Sequence, residues 1–174
     1  MMKKNKMIAL GLVLIGMAFS LTAMAKSHSS SHNNNPAAYG PEGKRFGAGL
    51  YLGEPTGLTF KGYINSRLAI NGIAAWGLRD EAFTVIGDVL YEFLDIPVDS
   101  NVLTFPFYAG AGAKLGFNAG PNDRTVAGIR VPVGVALQWI NHPVEVFAEI
   151  APGMEVAPST KLDIMGGIGA RFYF

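Results

Sequence analysis

Lys161-Leu162-Asp163-Ile164-Met165-Gly166-Gly167-Ile168-Gly169-Ala170-Arg171-Phe172-Tyr173-Phe174 closes the chain, and its alternation decides the fold. Taken by twos, Leu162, Ile164, Gly166, Ile168, Ala170, Phe172 and Phe174 carry no charge. Lys161, Asp163, Met165, Gly167, Gly169, Arg171 and Tyr173 make a second side that mixes charge with glycine. A period of two is the signature of a strand, and two such different sides mean that its faces meet different solvents.

Working backwards, the same alternation recurs seven more times after Lys44. Strands are expected at about 44–53, 57–64, 67–78, 82–94, 103–117, 126–140 and 143–156, with the eighth from Lys161 onwards. Turn residues separate them: Glu54-Pro55-Thr56-Gly57, whose Pro second and Gly fourth suit a type I turn, then Asn65-Ser66, Arg79-Asp80, 95–101, 118–125, Asn141-His142 and Pro158-Ser159-Thr160. Membrane-crossing strands need about 9–11 residues each, so eight strands and their connections fill the segment with little left over. The expected fold class is all-β, an eight-stranded antiparallel up-and-down transmembrane β-barrel.

Glycine decides which face turns inward. Gly47, Gly49, Gly77, Gly110, Gly112, Gly116, Gly134, Gly153, Gly167 and Gly169 all share the charged face. On an exposed strand face glycine only destabilises, whereas a narrow eight-stranded lumen has room for few large side chains. The opposite face is bulky and uncharged in every segment, too voluminous for so small an interior. A soluble lipocalin-like barrel would reverse this. Phe46, Phe93, Phe105, Trp139 and Phe174 fall near one set of strand ends, and Trp76, Phe83 and Phe117 near the other. Two aromatic belts are what amphipathic rings form at membrane interfaces.

The closing strand resembles that of bacterial outer-membrane barrels, whose assembly signal, Gly-x-x-aromatic-x-aromatic, corresponds here to Gly169, Phe172 and Phe174. The usual polar residue two before that glycine is replaced by Gly167. With Gly-Ala-Gly-Leu-Tyr-Leu-Gly-Glu-Pro-Thr-Gly-Leu (47–58) and Gly-Asp-Val-Leu-Tyr-Glu-Phe (87–93), the chain resembles a family of short outer-membrane barrels similar to the transmembrane domain of outer membrane protein A. The resemblance covers nearly all of 44–174 and implies no catalytic residue and no cofactor. It implies a Gram-negative outer membrane, with its lipids and lipopolysaccharide, the barrel-assembly machinery and periplasmic chaperones as partners. The outer connections are shorter than such barrels usually carry, which weakens an adhesin or receptor role, and oligomeric state is not legible.

Ahead of the barrel, Lys3, Lys4 and Lys6 form a basic head, Met7 to Phe19 is apolar, and Ala23-Met24-Ala25 offers a small-x-small cleavage site. This reads as a secretory signal peptide, residues 1–25, cleaved before Lys26; the apolar run is shorter than the roughly 20 residues a spanning helix needs. Residues 26–43, rich in Ser, His, Asn, Pro and Gly, are expected to be a disordered periplasmic lead, where His28 and His32 are solvated rather than metal-bound. The chain has no cysteine, so neither disulfides nor a lipid-bearing cysteine are available. Cleavage removes three lysines and no acid, leaving 11 basic against 13 acidic residues, which offers no electrostatic footprint for nucleic acid.

The expected inward charges are Arg45, Lys61, Lys114, Arg130 and Arg171 with Asp88, Glu92, Glu145, Glu149 and Asp163, five of each sign. Unpaired charges in a narrow space are costly, so the expectation is a lumen closed by an ion-pair network. A narrow or gated pore is the alternative. Chemistry is sparse: His142 and Ser159 fall in turns at opposite ends, and Glu145 and Glu149 stand about 13 Å apart along one strand, wide for acid–base work. Gly110-x-Gly112 with Lys114 has the wrong spacing for a phosphate loop. The expectation is a non-enzymatic structural or interaction barrel, with a lipid-modifying enzyme the least favoured class.

Overall fold

The computed structural model describes residues 40–76, 83–98, 102–119 and 124–174. The expected signal peptide, most of the lead with His28 and His32, and the Arg79-Asp80 turn lie outside the described residues. Nine strand segments follow a short 3-10 turn at Pro41–Gly43: β1 (Phe46–Glu54), β2 (Thr56–Tyr63), β3 (Leu68–Trp76), β4 (Phe83–Val98), β5 (Leu103–Ala119), β6 (Arg124–Arg130), β7 (Val133–Trp139), β8 (Val144–Ala157) and β9 (Lys161–Tyr173). Successive strands pair antiparallel, except that β6 and β7 do not pair with each other and each lies between β5 and β8; β1 pairs with β9 to close the ring.

β6 and β7 are two halves of one barrel strand, expected at 126–140 as a continuous run. Pro132 and Pro152 lack the amide hydrogens that would carry the ladder past this point. Their carbonyls still accept, Gly110 N donating to Pro132 O at 2.8 Å and Val131 N to Pro152 O at 2.9 Å, so the path is unbroken. The result is a closed eight-stranded antiparallel barrel with no α-helix among the described residues.

The strands are steeply staggered. Ladder partners followed once round the ring run Arg171, Gly49, Thr59, Ile73, Ile86, Lys114, Gly128, Glu155 and Lys161, returning to β9 ten residues from the start. Such a stagger tilts the strands and sets how wide an eight-stranded barrel can be. The same ladder lines bring inward side chains of successive strands into file.

Burial is inverted relative to a water-soluble fold. Leu162 is 75% exposed and Phe172 57%, and Leu50, Phe60, Ile70, Val89, Ile129, Ile150 and Ile168 are also exposed, whereas Arg130 is 1% exposed and Lys61 2%. The glycine-and-charge face is therefore the inner one. Trp76, Phe83 and Phe117 form a contiguous aromatic row across β3, β4 and β5, with ring centroids 5.5 and 6.5 Å apart.

Several boundaries differ from expectation. The lead is not irregular to residue 43: Gly40, Glu42 and Gly43 adopt positive φ (109°, 57° and 71°), turning the chain so that Pro41 is buried. Residues 95–98, expected in a connection stopped by Pro97, continue β4 to Val98 after a bulge at Phe93. Beyond Glu92 the strand pairs only with β5, and proline is tolerated on such an edge. The expected 118–125 connection is shorter, between Ala119 and Arg124. At Glu54 the connection is shorter than the expected four-residue turn: β1 ends at Glu54 and β2 begins at Thr56, and the Thr56 hydroxyl donates to Gly53 O at 2.8 Å.

Candidate functional site: the lumenal ion-pair network

Alternation puts every other residue of each strand into the lumen, and the stagger then sets who meets whom. One ladder line runs Gly47, Lys61, Asn71, Asp88, Gly112, Arg130, Gly153 and Asp163, inward positions on eight successive segments. Lys61, Asp88, Glu92, Lys114, Arg130, Glu145, Glu149, Asp163 and Arg171, all expected lumenal charges, stand in ion pairs within the barrel. Arg45 is placed at the barrel's end, one residue before β1, where its side chain is exposed. Its carbonyl already accepts from Tyr63 N at 2.9 Å, but its side chain lies past the last enclosed position.

The charges form three tiers. At the end where β1 begins, Glu145 is the hub. Its Oε2 accepts from Gln138 Nε2 at 2.7 Å, Tyr173 OH at 3.0 Å and Lys61 Nζ at 3.2 Å, while Oε1 accepts from Arg171 Nη1 at 2.6 Å. Lys61 also donates to Glu92 at 2.9 Å, and Glu92 accepts from the Tyr63 hydroxyl at 2.6 Å. This tier balances two cations against two carboxylates. Four charge-assisted donors on one carboxylate offset the cost of burying it. The Arg171 guanidinium further lies 3.7 Å from the centre of the Phe147 ring.

In the middle tier Arg130 pairs with both Glu149 and Asp88, its Nε lying 3.1 Å from Asp88 Oδ1. Asn71 donates to Asp88 Oδ2 at 3.0 Å and Tyr108 to Glu149 at 3.1 Å. Arg171 reaches up to this level, donating to Thr59 and Asn71. One step further along each strand the lining turns apolar, with Ile73, Ala75, Ile86, Ala151 and Met165 all buried. Above that collar Lys114 pairs with Glu155 at 3.1 Å and with Asp163 at the partly open rim.

Glycine makes room for these contacts. A Cβ on Gly47 would stand 2.9 Å from the Tyr173 ring, one on Gly167 2.9 Å from the Tyr51 ring, and one on Gly134 would overlap Tyr108. Each large inward side chain therefore lies over a glycine of the neighbouring strand.

Sequence reasoning left several network members out of the site. Thr59, Tyr63, Asn71, Tyr108, Gln138 and Tyr173 share the inward parity and their polarity was the available signal. Glu155, two residues past Gly153 on the inward parity of β8, pairs with Lys114 and was not among the expected charges. Among the described residues the ion pairs inside the barrel engage four basic side chains, Lys61, Lys114, Arg130 and Arg171, and six acidic ones, Glu155 among them.

Glu145 and Glu149 each answer to different cations rather than to one another. His142 and Ser159 flank opposite ends of β8. Gly110 and Gly112 are strand residues of β5. Gly169 is buried beneath Phe147, while Phe172 and Phe174 point outward and are exposed. Among the described residues no group of His, Cys, Asp and Glu has the arrangement of a metal site. Comparison with protein-family models, curated proteins and solved structures finds no match to this chain.

Proposed function

We propose that this chain is a non-enzymatic β-barrel of the Gram-negative outer membrane, with a structural or interaction role and a lumen closed by ion pairs. The inversion of burial carries the reading: Arg130, Arg171, Lys61 and Glu145 are enclosed while Leu162, Ile164, Phe172 and Phe174 are exposed all along β9. In water such a surface forfeits roughly 25 cal/mol for every Å² of apolar area left uncovered. Against acyl chains that penalty vanishes, and a closed ladder leaves no strand edge unsatisfied in hydrocarbon. The Trp76–Phe83–Phe117 row fits a headgroup interface. Export through a signal peptide ending near Ala25, and recognition of Gly169, Phe172 and Phe174 by the assembly machinery, belong to the same reading. Lipids and lipopolysaccharide are then the solvent of the outer face.

The test is fractionation followed by planar-bilayer recording of the purified protein. The expected result is extraction only with detergent and no steady conductance. A protein soluble without detergent would overturn the membrane reading. Steady conductance that changes in Arg130→Gln or Glu149→Gln would overturn the closure.

A second reading, a narrow or gated pore, draws on one observation: among the described residues the lumenal ion pairs engage six carboxylates and four cations. An open state of that pore would prefer cations, which reversal potentials in a salt gradient would read. For a lipid-modifying enzyme the separation of His142 from Ser159 and the pairing of Asp88, Glu92, Glu145, Glu149, Glu155 and Asp163 with cations are unfavourable. Pure protein is expected to turn over neither lipid A nor phospholipid.

A further inference from the structure

We propose that the turn ahead of β1, Gly40 to Lys44, is a stopper lying across the lumen's end and seals it above the ion pairs of the first tier. The inference rests on the closed-lumen reading and deepens it by naming a second barrier in series with the Glu145 network.

The geometry is set by what the turn touches. Gly40 sits on the Tyr63 ring of β2, so close that an added Cβ would stand 2.6 Å from a ring carbon. The Pro41–Gly43 turn also comes near β7, with Cα atoms within 8 Å. In a ring of eight strands β2 and β7 are four steps apart in either direction, on opposite walls. A segment that reaches both walls must cross the opening, and Pro41 is buried there although it precedes the barrel.

The turn is locally ordered. Gly43 N donates to Gly40 O at 3.0 Å and Lys44 N to Pro41 O at 3.1 Å. Left-handed backbone at Gly40 and Gly43 suits glycine and little else. Lys44 pairs with Glu42 at 2.7 Å and lies over the Phe172 ring, and Tyr63 N donates to Arg45 O at 2.9 Å, pinning the exit into β1. Beneath the turn, the Tyr63 hydroxyl donates to Glu92 and accepts from Gln138. The stopper therefore rests on the hydrogen-bonded lid of the first tier.

The chain has no cysteine, so a single introduced thiol reports without background. Ala69 is fully buried in the cluster with Tyr63 and Tyr173, directly inside this end, and Ala151 is fully buried nearer the other. Ala69→Cys and Ala151→Cys would be made in the mature protein in nanodiscs, with and without Gly40→Ser, Pro41→Ser, Glu42→Ser and Gly43→Ser together. The probe is a small water-soluble thiol reagent. At Ala69→Cys, labelling is expected to quicken at least tenfold when the turn is replaced, and at Ala151→Cys to stay unchanged. Equal rates at Ala69→Cys with and without the native turn would overturn the stopper, as would equal acceleration at both sites. Should Ala69→Cys fail to fold, amide exchange of Tyr63 and Ala69 in the cysteine-free chain replaces the labelling: tenfold faster exchange supports the proposal, no change overturns it. Conductance of the native barrel, measured separately, decides the closed-lumen reading itself.

Discussion

Asp88 Oδ1 and Arg130 Nε lie 3.1 Å apart although their strands never touch. β5 runs between β4 and β6, and the residue in ladder register with both is Gly112. Having no side chain, it leaves the gap through which carboxylate and guanidinium meet, and a Cβ there would overlap Asp88 itself. The device recurs. Arg171 reaches Thr59 across Gly49, Tyr108 reaches Glu149 across Gly134, and Lys114 reaches Glu155 across Gly128. Lumenal glycine thus does more than reduce volume: it lets strands two apart share an ion pair or hydrogen bond.

Gly112→Ala is therefore expected to destabilise by about 1–3 kcal/mol, as over-packing in a filled interior does. Gly87→Ala, one strand away on the outer face with nothing within 4 Å of the added carbon, is expected to change stability by no more than about 0.5 kcal/mol. Urea unfolding in detergent, followed by the gel shift between folded and heated forms, measures both.

Glu145→Gln removes the charge that four donors address and leaves Lys61 and Arg171 under-compensated in a buried tier. A loss of about 3–5 kcal/mol is expected. Lys114→Gln, at a rim where the carboxylates keep contact with water, is expected to cost about 1 kcal/mol or less. Parallel equilibrium unfolding of the two variants tests the ordering, and equal losses would contradict the tiered picture.

If the outer face meets lipid, a charge there should cost according to depth. Ile168 lies midway along β9 and is exposed, so Ile168→Arg is expected to cost about 2–4 kcal/mol, whereas Ile64→Arg, just past the end of β2, is expected to cost about 0–1 kcal/mol. The measurement is reversible folding into lipid vesicles. In a protein whose outer face met water both substitutions would be harmless.

Phe174 donates its backbone N–H to Phe46 O at 2.8 Å while its ring is exposed. Phe174→Ala leaves that hydrogen bond in place, so stability of the refolded barrel is expected to shift by no more than about 0.5 kcal/mol. If the proposed outer-membrane assembly signal operates, reading the ring rather than the backbone, yield in living cells is expected to fall several-fold. Comparing in-cell yield with refolding in detergent separates the two roles.

Strand number, direction and facing were legible because each follows from local rules. The period of two in 161–174 and seven other segments names enclosed positions such as Tyr51, Lys61, Asn71, Asp88, Tyr108, Arg130, Glu145, Glu149, Arg171 and Tyr173. Arg45 lies exposed at the barrel's end and Pro97 falls inside β4, because parity says nothing about how far enclosure extends or which edge of a ladder is free. The ordered turn at Pro41–Gly43 carried only the composition of a flexible lead; what orders it is the opposite wall of the barrel.

By itself the sequence determined an eight-stranded alternation with glycine and charge on one face and bulk on the other. Covalent alternation of side chains across a strand needs no tertiary partner. Tertiary structure alone decided which charges meet. A stagger of ten residues around eight strands brings Asp88 to Arg130 and Lys61 to Glu145 across separations of 42 and 84 residues along the chain. That register is a property of the closed ring, since it is set only when β9 returns to β1.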